Sequence, residues 1–294
     1  RLLDLCERES PDFLLLAGDV YNQEDASVSA QLALRDGFRR LESLSIPVFL
    51  VHGNHDPLAS RLRSVRWPGN VTVFGELPDA VPVFRKGEGT PLAIIHGASH
   101  ASGRETRNLA ALFRRTEACG LHVGLLHATP GDADGVARYA PFSQGDLKAS
   151  GMDYWALGHI HDRREVCREP LAAYPGCTQG LHINEPGEKG CLLVTAEARP
   201  DGGYAVRTSF RPLGPAVWKT LDMDLGGAAS LDELENRLRT GLDRAAAEVW
   251  SGCEMLLVRL RLQGRTELDG LLRKGTTCAD VADRLRESGL MTEF

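Results

Sequence analysis

Ile46-Pro-Val-Phe-Leu-Val-His-Gly-Asn-His-Asp56 decides the fold of this chain. Pro47 ends whatever helix precedes it. A short apolar run then enters a polar turn that contains glycine. The same design recurs outward in both directions. Asp12 to Ala17 runs into Gly18-Asp19, and Leu92 to Ile95 into His96-Gly97. His122 to Leu126 runs into His127, and Tyr154 to Leu157 into Gly158-His-Ile-His-Asp162. These runs are continuously apolar rather than alternating, which predicts strands buried on both faces. Residues 26–45 carry Ala30, Leu34, Phe38 and Leu41 at helical spacing, with Arg and Glu on the other side. Strands alternating with helices predict a layered α/β fold.

The pattern changes after about Arg163. Glu165-Val-Cys167, Gly190 to Thr195 and Tyr204 to Phe210 read as β-rich, with Pro200-Asp-Gly-Gly203 as a hairpin turn. Arg211-Pro-Leu-Gly-Pro215 reads as a domain boundary. It divides a first domain, residues 1–212, from a small α/β module, residues 213–294. That module reads strand (218–225), helix (230–250), strand (254–262), helix (277–288). Ser230 with Glu233 three residues on is a capping-box signature.

The chain has 294 residues and a formal charge of −6. That balance argues against a large non-specific nucleic-acid surface, although a local basic groove or bound divalent metal can offset it. No stretch approaches the roughly 20 apolar residues that span a bilayer. Seven cysteines with no Cys-x-x-Cys spacing read as reduced thiols of a cytoplasmic protein.

The chemistry lies at the strand ends. In α/β sheets, sites form outside the carboxyl ends of strands, so Asp19, Asn54, His55, His127, His159 and His161 can converge. A lone Gly-Asp is more often a turn, and a lone His after a strand is more often structural. Gly53-Asn-His-Asp56 is sharper, since it offers an amide oxygen, an imidazole and a carboxylate that can orient the imidazole. Gly158-His-Ile-His161 is sharper still, because imidazoles at i and i+2 can reach two ions. The oxygen and imidazole set, without thiolate, suits Mn, Fe or Zn. A pair of such ions lowers the pKa of water and clamps the oxygens of a phosphoryl displacement.

Leu16-Ala-Gly-Asp-Val-Tyr21, Gly53-Asn-His-Asp56, Leu126-His127 and Ala156-Leu-Gly-His-Ile-His161 resemble the motifs of the calcineurin-like metallophosphoesterases. Phe49 to Pro57, Asp153 to His159, Tyr174-Pro-Gly-Cys-Thr-Gln-Gly180 and His182 to Gly190 narrow the resemblance to bacterial DNA-repair exonucleases of the SbcD and YhaO type. The resemblance implies a four-layer α/β/β/α sandwich with a small α/β C-terminal capping module. It implies metal-dependent phosphodiester hydrolysis in DNA, using water activated by two divalent metals. Manganese is the first expectation, with iron, zinc or magnesium as alternatives. By position, Asp19 would bridge both metals, and Asn54, His127 and His159 would complete one. His161 would bind the other. His55 would serve the leaving oxygen and Asp56 would hold the tautomer of His55. DNA, an SMC-like ATPase subunit and a second copy of the chain are the implied partners, with no membrane.

One departure bears on this expectation. The Asp-x-His motif of the family's first strand is expected some tens of residues before Asp19, and only residues 1–18 precede it. Arg1 to Glu9 reads as a helix, and Asp4 has no His two residues on. The second metal is therefore expected to be weak or absent in this chain. Cys177 stands where relatives carry a small polar residue, and a buried thiol is its plainer reading. His52 is expected to pack under the site. For His96 a structural hydrogen bond is favoured over a place near the metals. His100 and His182 could face substrate. Arg104, Arg107, Arg114 and Arg115 form a local basic run, read as a solvated surface before phosphate contacts. Two other functions fit the same residues. One is a phosphodiesterase for small nucleotides or other phosphoesters. The other is a non-catalytic scaffold subunit of an SMC-like ATPase complex.

Overall fold

The computed structural model describes residues 1–21, 27–60, 65–133 and 137–287. In chain order the elements begin with α1 (Leu2–Glu9), β1 (Leu14–Ala17), α2 (Val28–Ser43), β2 (Val48–Val51), β3 (Val71–Val73), β4 (Asp79–Val83) and β5 (Ala93–Ala98). A 3-10 turn at Ala110–Leu112 precedes β6 (Leu121–His127), α3 (Gln144–Ala149), β7 (Tyr154–Gly158), β8 (Arg164–Arg168) and β9 (Leu171–Tyr174). A hairpin of β10 (Gly190–Ala198) and β11 (Tyr204–Pro212) follows. The last elements are β12 (Ala216–Asp224), α4 (Leu231–Ala247), β13 (Met255–Gln263), α5 (Asp269–Leu272) and α6 (Gly275–Glu287).

The chain divides into two compact units. One comprises Arg1–Cys177 with Cys191–Arg211, and the other Thr178–Gly190 with Pro212–Phe294. The passage at residue 212 is where the proline- and glycine-rich stretch lies. Thr178–Gly190 joins the second unit because Gln179 bonds the backbone of Ala216 at 2.9 and 3.1 Å and Gly187 N–H donates to Trp218 O at 2.9 Å.

The first unit has four layers, and side-chain alternation makes them. Three strands, β1-β2-β3, form one parallel sheet; β4-β5-β6-β7-β9-β8 form a six-stranded mixed one. On β1 and β2, Leu14, Leu16, Val48 and Leu50 pack outward with Cys6, Phe38 and Leu41 of α1 and α2. The alternate residues Leu15, Ala17, Phe49 and Val51 pack inward with Ile95, Val123, Leu125, Tyr154 and Ala156 of the second sheet. The other face of that sheet buries Leu126, Trp155 and Leu157 against Leu109, Phe113 and Leu147. Helix, sheet, sheet, helix is the α/β/β/α sandwich, and both sheets needed continuously apolar strands. Helix α2 starts where Ser27 accepts from the N–H of Ala30 at 3.1 Å. Residue 26, where the sequence reading began this helix, lies outside the described residues, as do 288–294.

In the second unit β12 and β13 pair in parallel over nine positions, from Ala216↔Met255 to Asp224↔Gln263. Leu234, Leu238 and Leu242 of α4 bury against Leu221, Met223, Val258 and Leu260. Ser230 caps α4 by accepting from Glu233 N–H at 3.2 Å. The Glu233 carboxylate reaches the N–H of Ala229 at 3.2 Å, one residue short of the expected capping box. Leu256, Val258, Leu260 and Leu262 point their backbone groups away from β12. No hydrogen bond reaches those groups among the described residues.

Candidate metal centre

The site forms where β1, β2, β6 and β7 end. Gly158 lies against the carbonyl of Ala17, so close that an added Cβ would overlap the oxygen. Gly53 is equally confined, because a Cβ there would strike Asp19 Oδ1 and the His127 ring. These two glycines let the strand ends meet. Asp19 and His159 then adopt positive φ, 49° and 102°, which non-glycine residues rarely do. Such strain clusters at functional sites.

Four side chains converge there. Asp19, His127 and His159 each present one ligand atom, all within 4.8 Å of one another. His127 Nε2 lies 3.0 Å from Asn54 Oδ1 and 3.2 Å from Asp19 Oδ2. His159 Nδ1 lies 3.1 Å from the same Asn54 oxygen. The remaining ring nitrogens are committed to main-chain carbonyls. His127 Nδ1–H donates to Ala17 O at 2.8 Å, and His159 Nε2–H to Ala137 O at 3.1 Å. A carbonyl can only accept, so each bond fixes the tautomer and turns a lone pair toward Asn54 and Asp19. In neutral imidazoles, the converging atoms are then lone pairs and an anion with no proton among them. That donor set fits a divalent cation.

The charges agree with this arrangement. Burial works against ionising Asp19, but a proton on the His127 ring, together with the N–H of His55, outweighs it and holds the carboxyl down at about 2; with that ring neutral, a cation between the two would take the proton's part. His159 is pushed down to about 4 by burial and by His127, which favours the neutral, ligating form.

His55 is exposed, and its N–H donates to Asp19 Oδ1 at 2.9 Å, so the main chain carries its ring beside the cluster. His161 is also exposed and is not part of the three-residue group. Cys177 approaches it, with its N–H 3.3 Å and its Sγ 3.8 Å from His161 O.

Asp56 differs from expectation. It is fully buried and does not orient His55. Its Oδ1 accepts from Gly53 N–H at 2.7 Å and Asp19 N–H at 3.1 Å, and its Oδ2 from Val20 N–H at 3.1 Å. It clasps the two ligand-bearing loops together. The nearest ring is that of His52, with Nδ1 3.5 Å away, beneath the site. His100 does not face substrate either: it is fully buried and donates from Nε2 to His127 O at 2.6 Å. His182 is exposed in the second unit, 3.6 Å from Glu185. His96 makes the structural bond expected of it, to His122 Nδ1 at 2.9 Å. Tyr139 packs its ring edge-on to His159 at 5.3 Å, and sequence reasoning misses it because a single loop aromatic carries no spacing signal.

A family model for calcineurin-like phosphoesterases matches residues 1–163, which include every residue of this centre. The chain belongs to the calcineurin-like phosphoesterases. It is a metallophosphoesterase, of a hydrolase family that works with divalent metals. A second model, "Metallophosphoesterase YhaO, middle domain", matches residues 218–293 of the phosphoesterase. The "Uncharacterized metallophosphoesterase YhaO" of Bacillus subtilis is 36% identical over 265 residues, covering 90% of this chain and 62% of that protein. The "DNA double-strand break repair protein Mre11" of Aeropyrum pernix is 28% identical over 271 residues, covering 82% and 60%. Its namesake in Sulfurisphaera tokodaii is 26% identical over 174 residues, covering 56% and 42%. The phosphoesterase thus spans about three-fifths of the length of the first two of these relatives. Among its described residues, no helix is long and apolar enough to cross a membrane.

Proposed function

We propose that this chain carries the catalytic centre of a metal-dependent DNA nuclease that hydrolyses phosphodiesters, acting in DNA repair. The observation that supports it most is the convergence of Asp19 Oδ2, Asn54 Oδ1, His127 Nε2 and His159 Nδ1, with the other ring nitrogens tied to carbonyls. Asn54, His127 and His159 would hold one divalent ion, Asp19 would be shared with a second, and His161 would serve that second ion. Manganese is the first candidate. Bound there, such ions polarise a phosphoryl oxygen and lower the pKa of water. The protein's own part is to hold that geometry and to exclude competing protons. His55, exposed beside Asp19, donates a proton or hydrogen bond to the leaving oxygen. The DNA reading draws on the Mre11 relatives, named for double-strand break repair, and on the Tyr174 to Gly190 segment. A cytoplasmic location, an SMC-like ATPase partner and a homodimer belong to the same reading.

A second reading, a phosphodiesterase for small nucleotides, is favoured by the formal charge of −6. Manganese-dependent hydrolysis of linear duplex and single-stranded DNA by the full-length protein, beside bis-p-nitrophenyl phosphate, separates the two. DNA is expected to be cut, and His55→Ala to lose about 10²- to 10⁴-fold in kcat while still binding manganese. Turnover of the small diester alone would establish the second reading. Silence on all substrates would leave the non-catalytic scaffold.

A further inference from the structure

The basic run at residues 104–115 divides once its partners are known. Arg107 donates to both Glu105 oxygens, at 2.9 and 2.6 Å. Arg114 donates to Ala111 O at 2.7 Å and Phe113 O at 2.6 Å, and Arg115 to Gly151 O and Asp153 Oδ2 at 2.9 Å each. These three hold local structure. Arg104 is exposed and has no carboxylate partner among the described residues, and Arg138 is the same.

Both of these arginines border the metal centre. The backbone beside Arg104 crowds the Asn54 loop: a Cβ on Gly103 would stand 3.2 Å from Asn54 O. The same loop is bound to the segment after His55 through Leu58 N–H to His100 O at 3.0 Å and Ala59 N–H to Ala101 O at 3.1 Å. Arg138 lies between Ala137, whose carbonyl accepts from His159, and Tyr139, whose ring packs on His159. A bond from Ala140 N–H to Glu105 O at 2.9 Å ties the two loops to each other. Two guanidiniums with no carboxylate partner among the described residues therefore stand on joined loops that wall one metal site.

We propose that Arg104 and Arg138 form a phosphate-binding rim of the metal centre, which takes backbone phosphates flanking the scissile one in a polynucleotide. The inference rests on the nuclease reading and names its substrate class as a chain of phosphates rather than a single diester. Guanidinium suits the task because its planar fork donates two bonds to one phosphate. Bonds of this kind position the strand and carry no base sequence. They also give this acidic protein a local anion site, despite its overall charge.

The test uses the full-length protein and an Arg104→Gln/Arg138→Gln double variant, with Arg199→Gln as a remote control for the removal of charge. Affinity for a fluorescent single-stranded oligonucleotide is followed against salt, and kcat/KM is measured for the oligonucleotide and for bis-p-nitrophenyl phosphate. The double variant is expected to lower the steepness of log affinity against log salt by about 1.4, because two phosphates of the single strand are no longer neutralised. Its preference for the oligonucleotide over the small diester should fall at least about tenfold, through KM, as expected when uniform binding is weakened. Arg199→Gln should match the wild type. An unchanged salt slope, or an equal loss on both substrates, overturns the rim and leaves the nuclease reading standing. A wild type that turns over the small diester and neither binds nor cuts the oligonucleotide overturns both.

Discussion

Asp56 sits where two loops cross, and its carboxylate meets three main-chain N–H groups and no solvent. In Asp56→Asn one oxygen becomes an NH₂ that faces those donors. Leaving such groups unsatisfied costs about 1–3 kcal/mol, so the urea midpoint should fall. Because Asp19 and Gly53 are both held by this clasp, manganese affinity measured by calorimetry should weaken as well. Loss of stability with unchanged manganese affinity would mean that the clasp supports the fold but not the centre. The candidate ligands themselves were legible in sequence, since Gly53-Asn-His-Asp56 and Gly158-His-Ile-His161 are dense motifs. The roles of Asp56 and His100 were not. A motif shows that a carboxylate is near an imidazole in sequence, but not that its oxygens turn back toward main chain 37 residues away. Likewise, nothing in the sequence distinguishes Arg104 from Arg107. The distinction rests on which guanidinium the neighbouring Glu105 captures.

Strands β5 and β6 carry a buried histidine pair, and acid should act there. Burial, then the neighbouring His122 and Arg115, push His96 down to about 4, against a weaker upward pull from Asp79. His122 is also lowered, first by burial, and donates from Nε2 to Ala118 O at 2.9 Å. A histidine held neutral in the fold binds fewer protons than the unfolded chain, so stability rises with pH in that window. The contribution is complete above about 6.5 and is lost as pH falls toward about 4. For His96 it amounts to something on the order of 3 kcal/mol. His100 and His159, both at about 4, act in the same direction. Urea midpoints from pH 7 to 4.5 should therefore drop, with a shallower fall in His96→Gln. Equal slopes would show that the pair does not take part. At this scale, buried strands such as β2 and β7 were plain from unbroken apolar runs. Strand β4 was hidden because it holds Pro82, which its place at the sheet edge tolerates. Strand β9 was hidden because Leu171–Tyr174 is short and alanine-rich.

Over the molecule as a whole, the candidate centre draws its side chains from Asp19 to His159 and so forms only when the first unit is folded. A ligand that binds the folded state alone stabilises it, by about 2.7 kcal/mol at a concentration 100 times its Kd. Manganese should raise the unfolding temperature and EDTA should reverse the rise, whereas His159→Ala should respond to neither. A rise that persists in the variant would place the ion elsewhere. The two-layered sheet core was readable because the strands are apolar on both faces. The assignment of Thr178–Gly190 to the second unit was not, because it depends on Gln179 reaching Ala216 across 37 residues of sequence.

The second unit bears one more consequence. Along β13, four alternate residues turn main-chain groups outward that have no hydrogen bond among the described residues, and one of the four, Leu262, is exposed. An open strand edge is a template on which other chains can stack. Concentrated samples should first self-associate along this strand, and Val258→Pro or Leu262→Lys should raise the concentration at which light scattering begins.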